Sequence, residues 1–578
     1  MGMTLTMAID VLLVAGLATS LLSGRISAAR AFALFVAATI LTWRVGFDEA
    51  AARLVSPAII AVTSLVIIAG ALTRVPGLTR AFFGRGARPP RLVLGRLLGS
   101  AALASAVIPN TAVVATLLGP ASRRPDIAPH TLLLPLSYMA LAGGMLTPFG
   151  TSASLMVAGE ARSAGISLTV ADFLLPGLAV AGAVFAVLLT AAPVLLRTRQ
   201  GDTSEAPADY HVEARLEPGS PLAGRSVASN RLRQLQSFFL AEIVRGERVI
   251  TPVHPALILQ EGDRLIFVGD VRQIDELQGL PGLSIQQTAG AEAPGELFHA
   301  VISSQSLLKG RTLREADFRA RFDASVMAIR RGDERLSGKL GDIRLRTGDV
   351  LVLAAGPDFA SRENVRPNLH ILDVDTPGSA PLRGRDLVGL GIGFIVFLGL
   401  ALSQIIPFHM AALGFAAVTV MMNWVSARDV RRNFPFELII VLWGAVLLSL
   451  LLQRSGAADL AGSLIASHTG DFPPLVALAV IFFFAWMMTE LFSNASAALT
   501  VLPIAIATAS QLGLPPEAFA LATAFGASAS FFMPFGYQTH LMVMTPGQYR
   551  LHDFLRLGGI VFIAYAVAAL TVLSLLYL

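Results

Sequence analysis

Long apolar runs separated by short polar turns fill residues 1–198 and again 386–578. Most are roughly 17–25 residues long, the length of an α-helix that crosses a ~30 Å hydrocarbon core. The first block predicts spans near 7–23, 29–46 and 55–73, an apolar helix from 92, a long run over 131–160 and a span at 172–196. The second predicts spans at 386–404, 409–426 and 434–452, apolar helices across 473–510, a long run at 516–545 and a last span at 554–578. Between the blocks the period changes. Short alternating runs such as RLIFV and VLVLAA, behind Gly-Asp turns, read as strands. The predicted fold class is a polytopic α-helical membrane protein with a small α/β tandem domain inserted between its halves. The opening MGMTLTMAIDVLLVAGLATSLLS lacks a basic leader and is read as a first span.

Two of the long runs cannot be continuous helices. PFGTSASLMV (148–157) and PFGYQTHLMV (534–543) repeat P-F-G and L-M-V inside apolar sequence. Proline removes a helical donor and glycine weakens the helix, so 131–160 and 516–545 are predicted as broken spans. Residues 92–120 turn at Pro109-Asn110-Thr111, and only about ten apolar residues follow before Arg123-Arg124, too few to cross. This predicts a re-entrant hairpin with its tip near Asn110. A second hairpin, 473–510, turns at Ser493-Asn494-Ala495. The basic stretches 73–91 and 427–433 mark the cytoplasmic side. Five crossings per half then invert the second copy relative to the first and leave the insertion cytoplasmic. Inverted repeats with broken helices are characteristic of secondary transporters.

Only 14% of the 578 residues are charged, against about 25% in soluble domains. The net charge of +5 comes from arginines in loops beside spans, which points to membrane topology and not to nucleic acid. The absence of cysteine excludes disulfides and thiol catalysis. Backbone freed by a break survives in a membrane where it lines a cavity or coordinates a ligand. Polar side chains gather at these places. Asn110, Thr111, Thr151, Ser152, Ser493, Asn494, Gln538 and Thr539 are the candidate substrate-binding residues. Glu490 is an ionisable intramembrane candidate, and His540 raises the option of proton coupling.

At these residues the chain resembles the divalent anion:sodium symporters, the family of dicarboxylate, citrate and sulfate permeases. Pro109-Asn110-Thr111 with Gly150-Thr151-Ser152, and Ser493-Asn494-Ala495 with Gly536-Tyr537-Gln538-Thr539, carry the resemblance; Pro109 and Ala495 depart from the Ser-Asn-Thr pattern. It implies a symporter importing a small divalent anion, with sodium as coupling ion and no organic cofactor in the membrane part. One sodium site would use Ser105, Asn110 and the Gly150 backbone; the other Thr489, Asn494 and the Gly536 backbone. A homodimer in the lipid bilayer of a bacterial inner membrane is the implied setting. In the insertion LAGRS (222–226) matches LKGRT (308–312), and EGDRLIFVGD (261–270) matches TGDVLVLAAG (347–356), each offset by 86 residues. Residues 207–287 and 294–375 are similar to TrkA C-terminal (RCK C-terminal) domains, which implies regulation, with a nucleotide as a candidate ligand. With no nucleophile–base pair and no phosphate-binding loop, no enzyme activity is expected. The alternatives are a proton-coupled carrier of sulfate, citrate or another oxyanion, and an RCK-regulated ion channel; T-V-G-Y-G, the potassium filter, is absent.

Overall fold

The computed structural model describes the chain except residues 1–4, 23–25, 27, 73, 76–88, 123, 125–126, 197–210, 233–234, 236–237, 247, 251–252, 270–273, 287–296, 304–305, 333, 337–339, 356–358, 360–361, 363, 373–381, 383, 404, 427–429, 432–433, 492 and 535. Most of both basic stretches, 73–91 and 427–433, and Phe535 of the second Pro-Phe-Gly therefore lie outside the described residues.

In the first half α1 (Leu5–Leu22), α2 (Ala28–Leu41), α3 (Phe47–Leu54) and α4 (Pro57–Leu72) precede the pair α5 (Pro90–Ser105) and α6 (Asn110–Ser122). Then come α7 (Leu133–Gly143), a 3-10 turn (Gly144–Leu146), α8 (Ser152–Ser163) and α9 (Val170–Leu195). The second half runs α10 (Arg385–Ser403), α11 (Phe408–Met421), α12 (Phe436–Arg454) and α13 (Ala457–Thr469). It continues through α14 (Pro474–Leu491), α15 (Asn494–Leu512), α16 (Pro516–Ala527), α17 (Gln538–Met544) and α18 (Leu551–Tyr577). Among the described residues five helices are long and apolar enough to cross a membrane, with α3 and α4 counted as one run.

Packing partners correspond between the halves. α2 packs on α12 as α11 packs on α4; α5 on α7 as α14 on α16; α7 on α9 as α16 on α18. α6 meets α17 as α15 meets α8, and α9 meets α18. α7 and α16, which carry no charge after the first turn of α16, are buried along nearly their whole length. α9 and α18 flank them and expose Leu174, Leu175 and Leu178, or Ile560, Ile563 and Val567, as a lipid-facing surface would. Two glycines let these outer helices approach the breaks. A Cβ on Gly177 would lie 2.8 Å from Leu146 Cα, and one on Gly558 3.0 Å from the Phe531 carbonyl carbon. Helix ends are tied by Glu49–Arg454 at 2.7 Å, Arg53–Glu160 at 3.7 Å and Tyr577 donating to Asp172 at 2.6 Å.

Two helices fall where the apolar pattern predicts none. α3 opens with Asp48 and Glu49 and is eight residues long. α13 starts after Gly456, in the left-handed region at φ 74°, and carries Asp459 and His468. Both are too short and polar to read as spans; α13 is held by burying Ala458 and Gly462 against α15.

The insertion forms two copies of one five-stranded antiparallel sheet. Module 1 holds β1 (His211–Leu216), β2 (Phe238–Arg245), β3 (Arg248–Ile250), β4 (Arg264–Gly269) and β5 (Leu283–Gln286), in the order β3-β2-β4-β1-β5. Module 2 holds β6 (Leu297–Ile302), β7 (Ala324–Arg331), β8 (Glu334–Leu336), β9 (Val350–Ala355) and β10 (Leu369–Ile371), in the same order read from the other edge. Bulges recur at Leu240/Glu242 and Val326/Ala328. A two-pronged ion pair recurs as well. Arg245 grips Asp263 through Nε and Nη2 at 2.8 Å each, and Arg331 grips Asp349 with the same two distances. In each module one tight turn joins a pair of strands, β2–β3 and β7–β8, and longer connections with short helices at Asp275–Gln278, Phe318–Phe322 and Val365–Asn368 join others.

Candidate transport site

The first break spans Thr147 to Thr151, between the 3-10 turn and α8. Thr147 is extended (φ −139°), and its Oγ1 donates to the Ala106 carbonyl at 2.5 Å, fastening the break to the turn after α5. Thr151 caps α8 by accepting from the Ser154 amide at 3.0 Å. The second break, 528–537, separates α16 from α17. It is fastened to its own hairpin through Glu490 Oε1, which accepts from the Phe532 amide at 3.2 Å. Each hairpin therefore meets the break of its own half.

Asn110 begins α6 and is buried, as is Ser105 at the end of α5. Ser105 Oγ donates to Asn110 Oδ1, and Asn110 Nδ2 lies 3.0 Å from the Tyr537 hydroxyl across the two halves. Turning the amide over points Nδ2 at the carbonyls of Gly150 and Ala140, 3.2 Å from each. So turned, Oδ1 accepts from the Tyr537 hydroxyl at 3.0 Å and both ends of the amide are paired. The Gly150 and Ala140 carbonyls gathered here are oxygens of the kind that suits a hard cation. Gly150 is essential to this crowding: a Cβ there would strike the Gly144 carbonyl and lie 2.6 Å from the Ser105 carbonyl.

The second centre is less satisfied. Thr489 Oγ1 donates to Asn494 Oδ1 at 2.8 Å, the same hydroxyl-to-amide bond over five residues. Ser493 caps α15 by accepting from the Ser496 amide at 3.3 Å. Glu490 Oε2, Asn494 Nδ2, Ser528 Oγ and Ser530 Oγ are buried without a hydrogen-bond partner among the described residues. A Cβ on Gly536 would strike Ser530 Oγ and lie 3.4 Å from Glu490 Oε2, so these two oxygens flank the glycine. Buried polar groups are normally paired, so these four atoms are candidates for contact with a water, an ion or a ligand.

The sequence-predicted residues differ in burial. Ser105, Asn110, Gly150, Thr151, Thr489 and Asn494 are buried at the hairpins and breaks; Thr111, Ser152 and Gly536 are half-buried; Ser493 and Gln538 are exposed. Thr539 is fully buried, its Oγ1 2.7 Å from Ser137 Oγ. Ser137 Oγ is also 2.7 Å from His540 Nδ1, while His540 Nε2 is 2.7 Å from the Ser530 carbonyl. A carbonyl only accepts, so Nε2 is the donor there. Tyr138 donates to the Phe531 carbonyl at 2.7 Å. Sequence reasoning missed Ser137, Tyr138, Ser528 and Ser530. The available signal was a Ser-Tyr pair within the otherwise apolar LLPLSYMALAG.

The family model described as a citrate transporter matches residues 17–526, which takes in nearly all of the first half, the insertion and the second half through most of α16. The chain belongs to the citrate transporter family. It is a multi-pass membrane transporter. This citrate transporter family member is 32% identical over 568 residues to a protein of Chlamydomonas reinhardtii described as "Putative sulfur deprivation response regulator", covering 91% of this chain and 94% of that one. It is 26% identical over 368 residues to sodium/sulfate cotransporter 1 of the same alga, covering 61% of this chain and 41% of the relative. Among solved structures, the YdaH transporter of Alcanivorax borkumensis aligns over 90% of this chain and 85% of that chain, with TM-score 0.41 and 11% identity.

Proposed function

We propose that the protein imports a small divalent oxyanion of the sulfate class together with sodium, by alternating access. One duplicated device carries this reading. At each hairpin a hydroxyl is hydrogen-bonded to the side-chain amide of an asparagine five residues on, Ser105 with Asn110 and Thr489 with Asn494, beside a broken span. The Gly150 and Ala140 carbonyls complete the first sodium site; the Gly536 backbone, with Glu490 and Ser530 beside it, completes the second. Thr111, Thr151, Ser152, Ser493 and Gln538 face the anion from between them. The N-termini of α6, α8 and α15 supply positive potential where no lysine or arginine is needed.

The corresponding packing of the halves supports an inverted repeat, with the insertion on the cytoplasmic side of a bacterial inner membrane. Its two modules act as TrkA-C-like regulatory domains in a homodimer. The relatives named sodium/sulfate cotransporters support sulfate and sodium over the dicarboxylate and proton alternatives. His540, whose two ring nitrogens are both engaged within the protein, weighs against the proton alternative.

The test is uptake of labelled sulfate, succinate and citrate into proteoliposomes with and without a sodium gradient. Sodium-dependent sulfate accumulation is expected; equal uptake in sodium-free buffer refutes the coupling. The relative described as a sulfur-deprivation response regulator favours a second reading, in which the same site senses the anion and the modules report it. Sulfate binding without accumulation would select that reading.

A further inference from the structure

Because the two modules are copies of one sheet, the same surface can be compared with and without a neighbour. Gly246 and Gly262 of module 1 correspond to Gly332 and Gly348 of module 2, and all four have positive φ, at 59°, 80°, 62° and 86°. In module 1 both turn glycines are exposed, and a Cβ on either would meet nothing within 4 Å among the described residues. In module 2 both are buried. A Cβ on Gly348 would lie 2.7 Å from the Leu541 carbonyl oxygen, and one on Gly332 3.6 Å from Met544 Cε. The Gly332 amide donates to Thr545 Oγ1 at 3.2 Å. The turn tips of module 2 therefore sit on α17 and on the linker that leads to α18.

Side chains beside those turns differ in kind between the copies. Across β1 and β4 the pair is Arg215–Arg264; the equivalent pair across β6 and β9 is Val301–Val350. Both valines are buried, and they join the apolar cluster of the membrane helices instead of the module's own core. Arginines at this position suit a face left in water, and valines suit one that is covered.

α17 is only seven residues long, begins with Gln538 and Thr539, and is isolated between the second break and the 545–550 linker. So short a helix has little stability of its own, and its place is set by what it touches. We propose that module 2 is a positioning element of the transport site: the Val301–Val350 face and the two glycine turns hold the far end of α17, and thereby the placement of Gln538 and Thr539. The inference rests on the transport reading above and adds the part of the insertion that acts on it.

The double variant V301R/V350R installs the pair that module 1 carries at the same strand positions, so the sheet itself is kept. The expected result in proteoliposomes is normal incorporation with the KM for sulfate raised at least about fivefold, as small misplacement of a binding group does. V301I/V350I should retain the parental KM. The chain lacks cysteine, so Thr545→Cys gives a single thiol to read docking directly. It should resist a polar maleimide in the parental background and react in V301R/V350R. A thiol that already reacts in the parental background overturns the proposal, and so does an unchanged KM once the thiol is unmasked. If the parent accumulates no sulfate, the transport reading alone falls. The sulfate concentration that half-maximally protects the purified protein from heat then replaces KM, and an unshifted value overturns the proposal.

Discussion

Asn110 and Asn494 stand at matching points of the two hairpins, yet their surroundings differ. With its amide turned over Asn110 is bonded at both ends, whereas Asn494 Nδ2 is buried without a partner among the described residues. In the proposed site, removing either amide deletes a contact to a charged ligand, worth about 1.5–3 kcal/mol. Asn110→Ala and Asn494→Ala should each lower sodium-driven uptake roughly 10–100-fold at unchanged membrane levels; normal uptake by either variant would remove that residue from the site. Glu490 gives the second centre a carboxylate that the first lacks. Glu490→Gln should raise the sodium concentration needed for half-maximal uptake, and an unaltered sodium curve would place the carboxylate outside the ion path. The asparagines were legible in the sequence because an amide amid hydrocarbon demands partners. Ser137, Ser528 and Ser530 were not, because hydroxyls in apolar helices commonly bond back to the previous turn, as Thr116, Thr508 and Thr523 do here.

Among the elements, those set by local chemistry could be read in advance. Apolar length gave α9 and α18, and Pro-Phe-Gly gave the interruptions before α8 and α17. α3 and α13 escaped because their polar residues dilute the apolar signal, and burial against another helix stabilises them. In the modules the 86-residue repeat was legible, but the sheet order was not. The recurring Arg–Asp pair explains part of that shared order: Asp349 is 1% exposed and also accepts from the Arg346 amide at 2.8 Å. Arg331→Ala would strand a buried carboxylate and should destabilise module 2 by about 3–5 kcal/mol, seen as faster proteolysis within 294–375; an unchanged cleavage rate would contradict it. Glu242, at the bulge of module 1, stands where module 2 has Ala328, and burial holds its pKa above the ordinary carboxylate value. A raised acid pKa means that the folded state keeps a proton the unfolded chain has released. The penalty is absent at pH values below the unfolded pKa and grows as pH rises through the folded one. Glu242→Ala should therefore stabilise module 1 at neutral pH and lose that advantage below about pH 4, as thermal melts across pH would show.

On the scale of the whole molecule, the decisive bonds cross between halves far apart in sequence. Asn110 meets Tyr537, Ser137 meets Thr539 and His540, and Tyr138 meets Phe531. No local pattern announces such pairs, and the docking of module 2 was equally hidden, although aligning the two modules set Val301 and Val350 against arginines. These cross-links also bear on how the protein is made. The first half leaves the ribosome with its serine, tyrosine and asparagine in the bilayer and their partners still hundreds of codons away. A polypeptide stopped just before residue 516 should have a markedly shorter pulse–chase half-life than the finished one, and supplying residues 386–578 as a separate chain should lengthen it. The polar side chains of the first half therefore gain these partners only once residues 531–540 have been made.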